Sequence, residues 1–258
     1  GVEYTLTEVT PPAGRKLAEA INFILQPDGS VQAKKASETT YVTVADNTVL
    51  MEDEKTRLII AKVDDTGAPV SQATLTIYTC AGASATVPGT YVTEVITGND
   101  GYADVTGSLS LNTWYMAAET VTPPGYLTAP YSAPFQLQAD GTREIEMLDP
   151  RTVFHVGKID VETNEFIGGA TLLIYDSKVE GGVTVPDTDK VMERVDTLAG
   201  TDSPVYGLYL NHTYFLYELT APAGYLRDTT YREFIVTPDG NAFCYSEDDR
   251  TDVRISKK

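Results

Sequence analysis

The stretch Tyr214-Phe-Leu-Tyr-Glu218-Leu-Thr-Ala-Pro222-Ala-Gly224-Tyr225 recurs in related form at two other places in the chain. The related stretches are Tyr115-Met-Ala-Ala-Glu119-Thr-Val-Thr-Pro123-Pro-Gly125-Tyr126 and Tyr4-Thr-Leu-Thr-Glu8-Val-Thr-Pro-Pro12-Ala-Gly14. In each of them a glutamate lies four residues after a tyrosine, four before a proline and six before a glycine. Self-similarity at a long period indicates an array of similar units. We call this stretch the glutamate box.

A second set of residues repeats in step with the glutamate box. An aspartate precedes a threonine by three residues, and that threonine precedes a lysine by six, at Asp53-Thr56-Lys62, Asp149-Thr152-Lys158 and Asp248-Thr251-Lys257. The aspartates are 96 and 99 residues apart, which is the usual size of a small domain. The repeat therefore predicts complete domains at 56–150 and 151–250, the C-terminal part of a domain at 1–55, and the first strand of a further domain at 251–258. Because Gly1 falls inside a repeat, we expect the chain to be a fragment.

Composition excludes several classes of function. The formal net charge of −18 at pH 7 argues against nucleic-acid binding, which needs a basic surface, and against docking on anionic lipid. A hydrophobic content of 42% is sufficient for packed cores. No segment has the apolar length of a membrane span. Cys80 and Cys244 lie at non-equivalent places in the repeat, so the sequence predicts no disulfide framework.

Short strands separated by turns account for most of the pattern. The sequence predicts opening strands at 57–64 and 153–160, second strands at 73–78 and 170–175, and hairpin turns at Asp28-Gly29, Asp140-Gly141 and Asp239-Gly240. Almost nothing has the period of an amphipathic helix. These features predict one all-β sandwich per unit.

A buried lysine, glutamate and aspartate permit covalent chemistry. The first and last strands of a sandwich often pair, so Lys62 is expected beside Asp149, and Lys158 beside Asp248. Burial disfavours both charges, which gives a nucleophilic amine and a protonated carboxyl. A glutamate across the pair, Glu119 or Glu218, can move the protons and stabilise the tetrahedral oxygen. The expected product is an amide between side chains, formed with loss of water.

The glutamate box and the opening Lys-x-Asp resemble the Cna-B repeats (SpaA-like, prealbumin-like) of Gram-positive surface adhesins and pilins. The resemblance covers essentially the whole chain. It implies tandem inverse immunoglobulin-like β-sandwiches arranged head to tail, an intramolecular Lys–Asn or Lys–Asp isopeptide bond and a catalytic glutamate in the box. Glu8, Asp53 and Lys257 are the equivalents in the partial units, with Asn47 as a competitor for the role of Asp53.

Three departures from the family pattern affect this assignment. The family more often has asparagine where this chain has Asp149 and Asp248, so water rather than ammonia would leave. Asp249 is a neighbouring alternative to Asp248. Ser71-Gln72 stands where a glycine is usual before the second strand.

The expected function is that of a structural stalk segment, extracellular and anchored to the cell wall through a parent region outside this chain. The protein is expected to be no enzyme beyond a single self-crosslinking turnover, and to use no cofactor and no metal. The alternative is a module that binds a host matrix or cell-surface ligand through loops at 80–89 and 178–189. A hydrolase is disfavoured because no nucleophile and base are paired. An exposed edge in residues 1–55 could also accept a neighbour's strand around Lys257.

Overall fold

The computed structural model describes residues 1–237, 243–251 and 256. They divide into two compact units, Gly1–Pro123 with Thr128–Asp149, and Pro124–Leu127 with Pro150–Lys258. The strands, numbered in chain order, are β1 (Glu3–Leu6), β2 (Ile21–Leu25), β3 (Val31–Lys35), β4 (Val42–Thr43), β5 (Arg57–Asp64), β6 (Thr74–Thr79), β7 (Tyr91–Ile96), β8 (Tyr102–Thr106), β9 (Tyr115–Val121), β10 (Thr142–Asp149), β11 (Val153–Asp160), β12 (Thr171–Glu180), β13 (Val183–Asp196), β14 (Ser203–Tyr206), β15 (Thr213–Thr220), β16 (Arg232–Ile235) and β17 (Phe243–Asp248). The one helix among the described residues is a short 3-10 turn, Ala45–Asn47. The predicted all-β class is confirmed.

Two three-stranded sheets form the first complete domain. Their strand orders are β10-β5-β8 and β7-β6-β9. The first strand β5 pairs in parallel with the last strand β10 and antiparallel with β8. Leu58 and Ile60 from one sheet and Leu75 and Ile77 from the other belong to a single buried cluster, so the core lies between the sheets.

Strand β5 shows how the sequence directs this arrangement. Its residues alternate between the two faces of the sheet, and the inward series runs Leu58, Ile60, Lys62, Asp64. The period of two places a lysine and an aspartate on the same face as the apolar residues of the core. The alternation therefore buries Lys62 together with its apolar neighbours.

The second domain repeats this plan with a larger sheet. Its strand orders are β14-β11-β17 and β13-β12-β15-β16. Again the first strand β11 pairs in parallel with the last strand β17. Phe154 and Val156 from one sheet pack in one cluster with Leu172 and Ile174 from the other.

Residues 1–55 contribute the sheet β1-β2-β3-β4, which belongs to the first unit. Strand β1 contains the tyrosine of the first glutamate box, as β9 and β15 contain those of the other two. The predicted hairpin turn at Asp28-Gly29 joins β2 to β3, and Gly29 adopts a positive φ of 86°. Strand β4 and the 3-10 turn lie between this hairpin and Asp53, where 24 residues separate Gly29 from Asp53 but only 8 separate the equivalent glycine and aspartate in the other units.

The strands and loops of the structure differ from the predicted ones in several details. The opening strands match their predicted bounds, whereas the second strands begin one residue later than predicted. The segment 178–189, predicted as a loop, is instead the end of the β12–β13 hairpin, because both strands continue through it as an antiparallel pair. The segment 80–89 is a loop as predicted. The turn predicted at Asp239-Gly240 and most of the strand predicted at 251–258, including Lys257, lie outside the described residues.

Candidate functional site: two buried lysine–carboxylate clusters

Lys62 lies in the core of the first complete domain. Its residue is fully buried, with 0% of its surface exposed. On the neighbouring strand its register partner is Met147, and Asp149 lies two residues further along the same face. Because β5 and β10 are parallel, the Lys62 ammonium reaches forward to Asp149 and donates a hydrogen bond to its Oδ1.

Glu119 reaches this pair from the opposite sheet. It lies on β9, on the face that also carries Tyr115 and Ala117, and its Oε1 is 3.6 Å from Lys62 Nζ. Its other oxygen, Oε2, accepts a hydrogen bond of 2.7 Å from the backbone N–H of Ala129. That bond fixes the carboxyl group over the lysine–aspartate pair.

The second domain builds the same cluster from Lys158, Asp248 and Glu218. Lys158 Nζ lies 2.5 Å from Asp248 Oδ1 and 3.2 Å from Glu218 Oε1, and all three side chains are fully buried. Glu218 Oε2 accepts a hydrogen bond of 2.7 Å from the N–H of Asp228, ten residues later, as Glu119 does from Ala129. The two clusters are therefore equivalent in sequence position and in geometry.

Burial raises the pKa of one carboxyl group in each cluster. Desolvation raises the pKa of Asp149 to about 7; the hydrogen bond from Lys62 opposes this shift, and the neighbouring carboxyl of Glu119 adds to it. Desolvation likewise raises the pKa of Glu218. Among the described residues, Asp149 Oδ2 and Asp248 Oδ2 have no hydrogen-bond partner. For Asp149 this agrees with the raised pKa, because a buried oxygen without a partner disfavours the charged carboxylate.

One polar side chain distinguishes the second cluster from the first. Ser246 is the register partner of Lys158, is 3% exposed, and accepts a hydrogen bond of 2.8 Å from Lys158 Nζ. The corresponding residue in the first cluster is the apolar Met147. The repeat in the sequence does not extend to this position, so it does not mark Ser246.

Burial distinguishes Asp248 from its neighbour Asp249 as the partner of Lys158. Asp248 is 2% exposed and contacts Lys158, whereas Asp249 is exposed to solvent. Side chains alternate between the two faces along β17, so Asp248 lies on the same inward face as Ser246, and Asp249 follows the end of the strand.

The partial domain has the glutamate of the cluster but no lysine beside it among the described residues. Glu8 Oε2 accepts a hydrogen bond of 2.8 Å from the N–H of Ala18, again ten residues later. Asn47 is exposed in the 3-10 turn and donates its side-chain N–H to the Gly29 carbonyl oxygen. Asp53 is partly buried.

The backbone around Asp53 matches that around the other two aspartates. In each repeat the glycine of the glutamate box accepts a hydrogen bond from the backbone N–H of the repeated threonine, through the pairs Gly14–Thr56, Gly125–Thr152 and Gly224–Thr251. The residue after each aspartate also accepts a backbone hydrogen bond from the second residue after that glycine, as Glu54 does from Lys16. Asp53, and not Asn47, therefore occupies the backbone position of Asp149 and Asp248.

A further polar cluster lies two residues beyond Lys158 and Asp248 in the second domain. Asp160, on β11, is 1% exposed and accepts hydrogen bonds from Tyr225 Oη at 2.8 Å and Arg250 Nε at 2.7 Å. The pKa of Asp160 is lowered to about 2, because these hydrogen bonds and that from the Glu162 N–H outweigh desolvation. The cluster joins β11, the glutamate box and the end of β17. The same residue types recur in the sequence at Asp64, Tyr126 and Arg151, a repeat that could have identified this cluster.

No group of three or more metal-ligating side chains occurs among the residues that the structure describes. Within those same residues, no helix has the length and apolar character of a membrane-spanning segment. Cys80 and Cys244 are both free thiols.

The chain matches the SpaA prealbumin-like fold domain twice, over residues 56–151 and 152–250. The chain therefore belongs to this family, with two of its domains in tandem, as the resemblance in the sequence indicated. No curated protein sequence is significantly similar to it.

Several solved structures resemble the chain at low sequence identity. The Bacillus anthracis TIE protein is 16% identical with a TM-score of 0.43, over 96% of this chain and 51% of its own, so the chain spans about half of that protein. A streptococcal ancillary pilin is 21% identical with a TM-score of 0.32, over 90% of this chain and 76% of its own. The shaft pilin SpaA from Lactobacillus rhamnosus GG is 16% identical with a TM-score of 0.37, over 78% and 99%.

Proposed function

We propose that the chain is a structural segment of a Gram-positive surface adhesin or pilin in which each complete domain closes its own lysine–aspartate isopeptide bond. One observation carries this proposal. Two lysines with no exposed surface each contact an aspartate of the adjacent strand and a glutamate of the opposite sheet. Burying an ammonium group and a carboxylate is unfavourable because both lose their hydration. An amide bond between the two side chains removes both charges.

The reaction follows from the positions of the atoms. The neutral amine of Lys62 attacks Cγ of the protonated Asp149, and a C–N bond forms. Glu119 accepts a proton from the nitrogen and delivers it to the departing hydroxyl group as the C–O bond breaks. The products are an amide and one water, and Glu119 returns to its starting state. Lys158, Asp248 and Glu218 perform the same step in the second domain.

Proximity supplies much of the rate. The fold holds amine and acid in contact, so no bimolecular encounter has to occur and no external enzyme is needed. The polar contacts of each glutamate are already formed before the reaction, which lowers the cost of reorganising the site. The protein thus acts once on itself and turns over no external substrate.

The bond also accounts for stability in the absence of disulfides. It joins residues 87 positions apart in the first domain and 90 apart in the second. By the loop-closure model used for disulfides, each bond stabilises its domain by about 4 to 5 kcal/mol. This suits a domain exposed to proteases and mechanical load at a cell surface, where we place the parent protein, anchored through a region outside this chain.

In this proposal the domains extend over residues 56–150 and 151–250. Residues 1–55 are the end of a preceding domain, in which Asp53 takes the aspartate role, and 251–258 begin a following one. The matching backbone hydrogen bonds after Gly14, Gly125 and Gly224 support these boundaries. Neighbouring domains of the same parent are the partners that the tandem arrangement supports.

Intact mass tests the proposal directly. The wild-type chain should weigh two waters less than its sequence mass, and peptides linking Lys62 to Asp149 and Lys158 to Asp248 should appear after digestion. Glu119→Gln and Glu218→Gln should each restore one water. Glu8→Gln is the matched control, because it changes the same box position in a unit without a paired lysine among the described residues, and its mass deficit should stay at two. A full sequence mass in the folded wild type would rule the bonds out.

A further inference from the structure

The two lysine clusters differ at the residue that faces the lysine on the last strand. In the second domain Lys158 Nζ donates hydrogen bonds to both Asp248 Oδ1 and Ser246 Oγ. In the first domain the register position facing Lys62 is Met147, which belongs to the apolar core cluster. The remaining polar partners, an aspartate from the last strand and a glutamate from the opposite sheet, are common to both.

We propose that Ser246 slows formation of the Lys158–Asp248 bond relative to the Lys62–Asp149 bond. The inference rests on the isopeptide function proposed above. It assigns a role to a side chain outside the lysine, glutamate and aspartate of the repeat.

The physical reason is the different strength of the Ser246 hydrogen bond before and after the lysine loses its proton. A hydrogen bond donated by an ammonium group is stronger than one donated by a neutral amine. Part of that stabilisation must be lost when the nucleophilic amine forms. A methionine at the same position stabilises neither form in this way.

The geometry adds a second effect in the same direction. The lone pair of the neutral amine must point at Cγ of Asp248, while Ser246 holds one N–H of Lys158 in its own direction. In the first domain the amine is directed by the two carboxyl groups alone. The typical difference between hydrogen bonds to charged and to neutral groups corresponds to a rate ratio of about tenfold.

The experiment follows closure of both bonds in the same full-length molecule. The chain is made by cell-free translation, synthesis is stopped, and samples are quenched in acid over time at several temperatures. Digestion and mass spectrometry then give the fraction of each cross-linked peptide. Because both domains share one chain and one sample, each serves as the internal reference of the other.

Substitutions that exchange the two positions make the test specific. Ser246→Val should bring second-domain closure to about the rate of the first, whereas Ser246→Thr, of nearly the same shape but with a hydroxyl group, should remain slow. Ser246→Ala should also be fast. Met147→Ser should slow the first domain by about tenfold. Thermal unfolding of each variant in a Glu119→Gln, Glu218→Gln background separates a change of rate from a change of folding.

The outcomes distinguish this inference from the proposed function. If both bonds form at equal rates, or if Ser246→Val and Ser246→Thr behave alike, the role of Ser246 is wrong while the isopeptide function stands. Complete closure of both bonds in the first sample at every temperature would also count against it. If neither domain loses water, the proposed function itself fails.

Discussion

Complete burial of a lysine normally destabilises a protein, because desolvation of an ammonium group is unfavourable unless the group is paired. Lys62 and Lys158 are both in this condition, and each has two carboxyl groups within reach. Two acids beside one base cannot all be charged at low cost. The raised pKa of Asp149 is the expected response, because a protonated aspartate reduces the number of buried charges.

The pKa of Asp149 predicts how closure of the first bond depends on pH. Because the folded-state pKa is raised to about 7, the acid keeps its proton, and with it a hydroxyl leaving group, up to about that pH. Above it the carboxylate forms and the hydroxyl leaving group is lost, so the closure rate of the wild type relative to that of Asp149→Asn should fall by about tenfold per pH unit. The quenched mass-spectrometric time course, run across this range, measures the rate.

Asp149→Asn is the matched variant for this prediction. Its amide does not ionise in this range, so the ratio of the two rates isolates the Asp149 proton from deprotonation of the attacking amine, and the variant should lose ammonia at this site instead of water. A ratio of wild-type to Asp149→Asn rates that stays constant through pH 7 to 9 would contradict the assigned role of the Asp149 proton.

At the scale of elements, the turn that leads into the second strand differs between the two domains. Gln72 N–H donates to the Thr97 carbonyl oxygen, and Gly169 N–H donates to that of Thr197 in the same way. Both residues have positive φ, 65° for Gln72 and 92° for Gly169. The turn is therefore the same in both domains, but only the second has the residue that adopts this conformation without strain.

Exchanging these residues should change the free energies of unfolding of the two domains in opposite directions. Gln72→Gly should raise the free energy of unfolding of the first domain by about 1 kcal/mol, because it relieves left-handed strain. Gly169→Gln should lower that of the second domain by about the same amount. Around Gly169 an added Cβ meets no atom within 4 Å, so the effect there comes from the backbone and not from a clash.

Calorimetry in the Glu119→Gln, Glu218→Gln background measures both changes, because the open domains can then unfold. A destabilising Gln72→Gly would show that the glutamine side chain contributes more than its backbone strain costs.

At the scale of the whole molecule, the position of each proposed bond determines the path of mechanical load. In the first domain, tension that enters at the start of β5 passes along the strand to Lys62, crosses to Asp149 and leaves the domain at the next residue. Residues 63–148 then carry no tension. The second domain has the same geometry, because β11 and β17 pair as β5 and β10 do.

Single-molecule stretching should therefore show no unfolding step from either complete domain of the wild-type chain. In Glu119→Gln the first domain should unfold and lengthen by about 3.5 Å for each residue released. Glu8→Gln should behave like wild type in this respect. Full-length unfolding steps from both wild-type domains would exclude load transfer through the cross-links.

Much of this arrangement could be predicted from local patterns. The repeat period, the all-β class and the opening strands followed from the spacing of residues and from alternation along each strand. Lys62 could be placed in the core because it continues the inward series of Leu58 and Ile60. The β12–β13 hairpin was missed since its polar, alternating residues at 178–189 match an exposed strand and a loop equally well.

The sequence by itself determined which residue types recur and where, and hence the two domains, their strands and the candidate lysine, glutamate and aspartate of each. Only the tertiary structure decided that Asp248 and not Asp249 faces Lys158, and that Ser246 and Met147 occupy the same place beside the two lysines. The reason is that these residues are distant in the sequence from the lysines, since Asp149 lies 87 residues from Lys62 and Asp248 lies 90 from Lys158. Their contacts depend on the register of two parallel strands, which a shift of one residue would reverse.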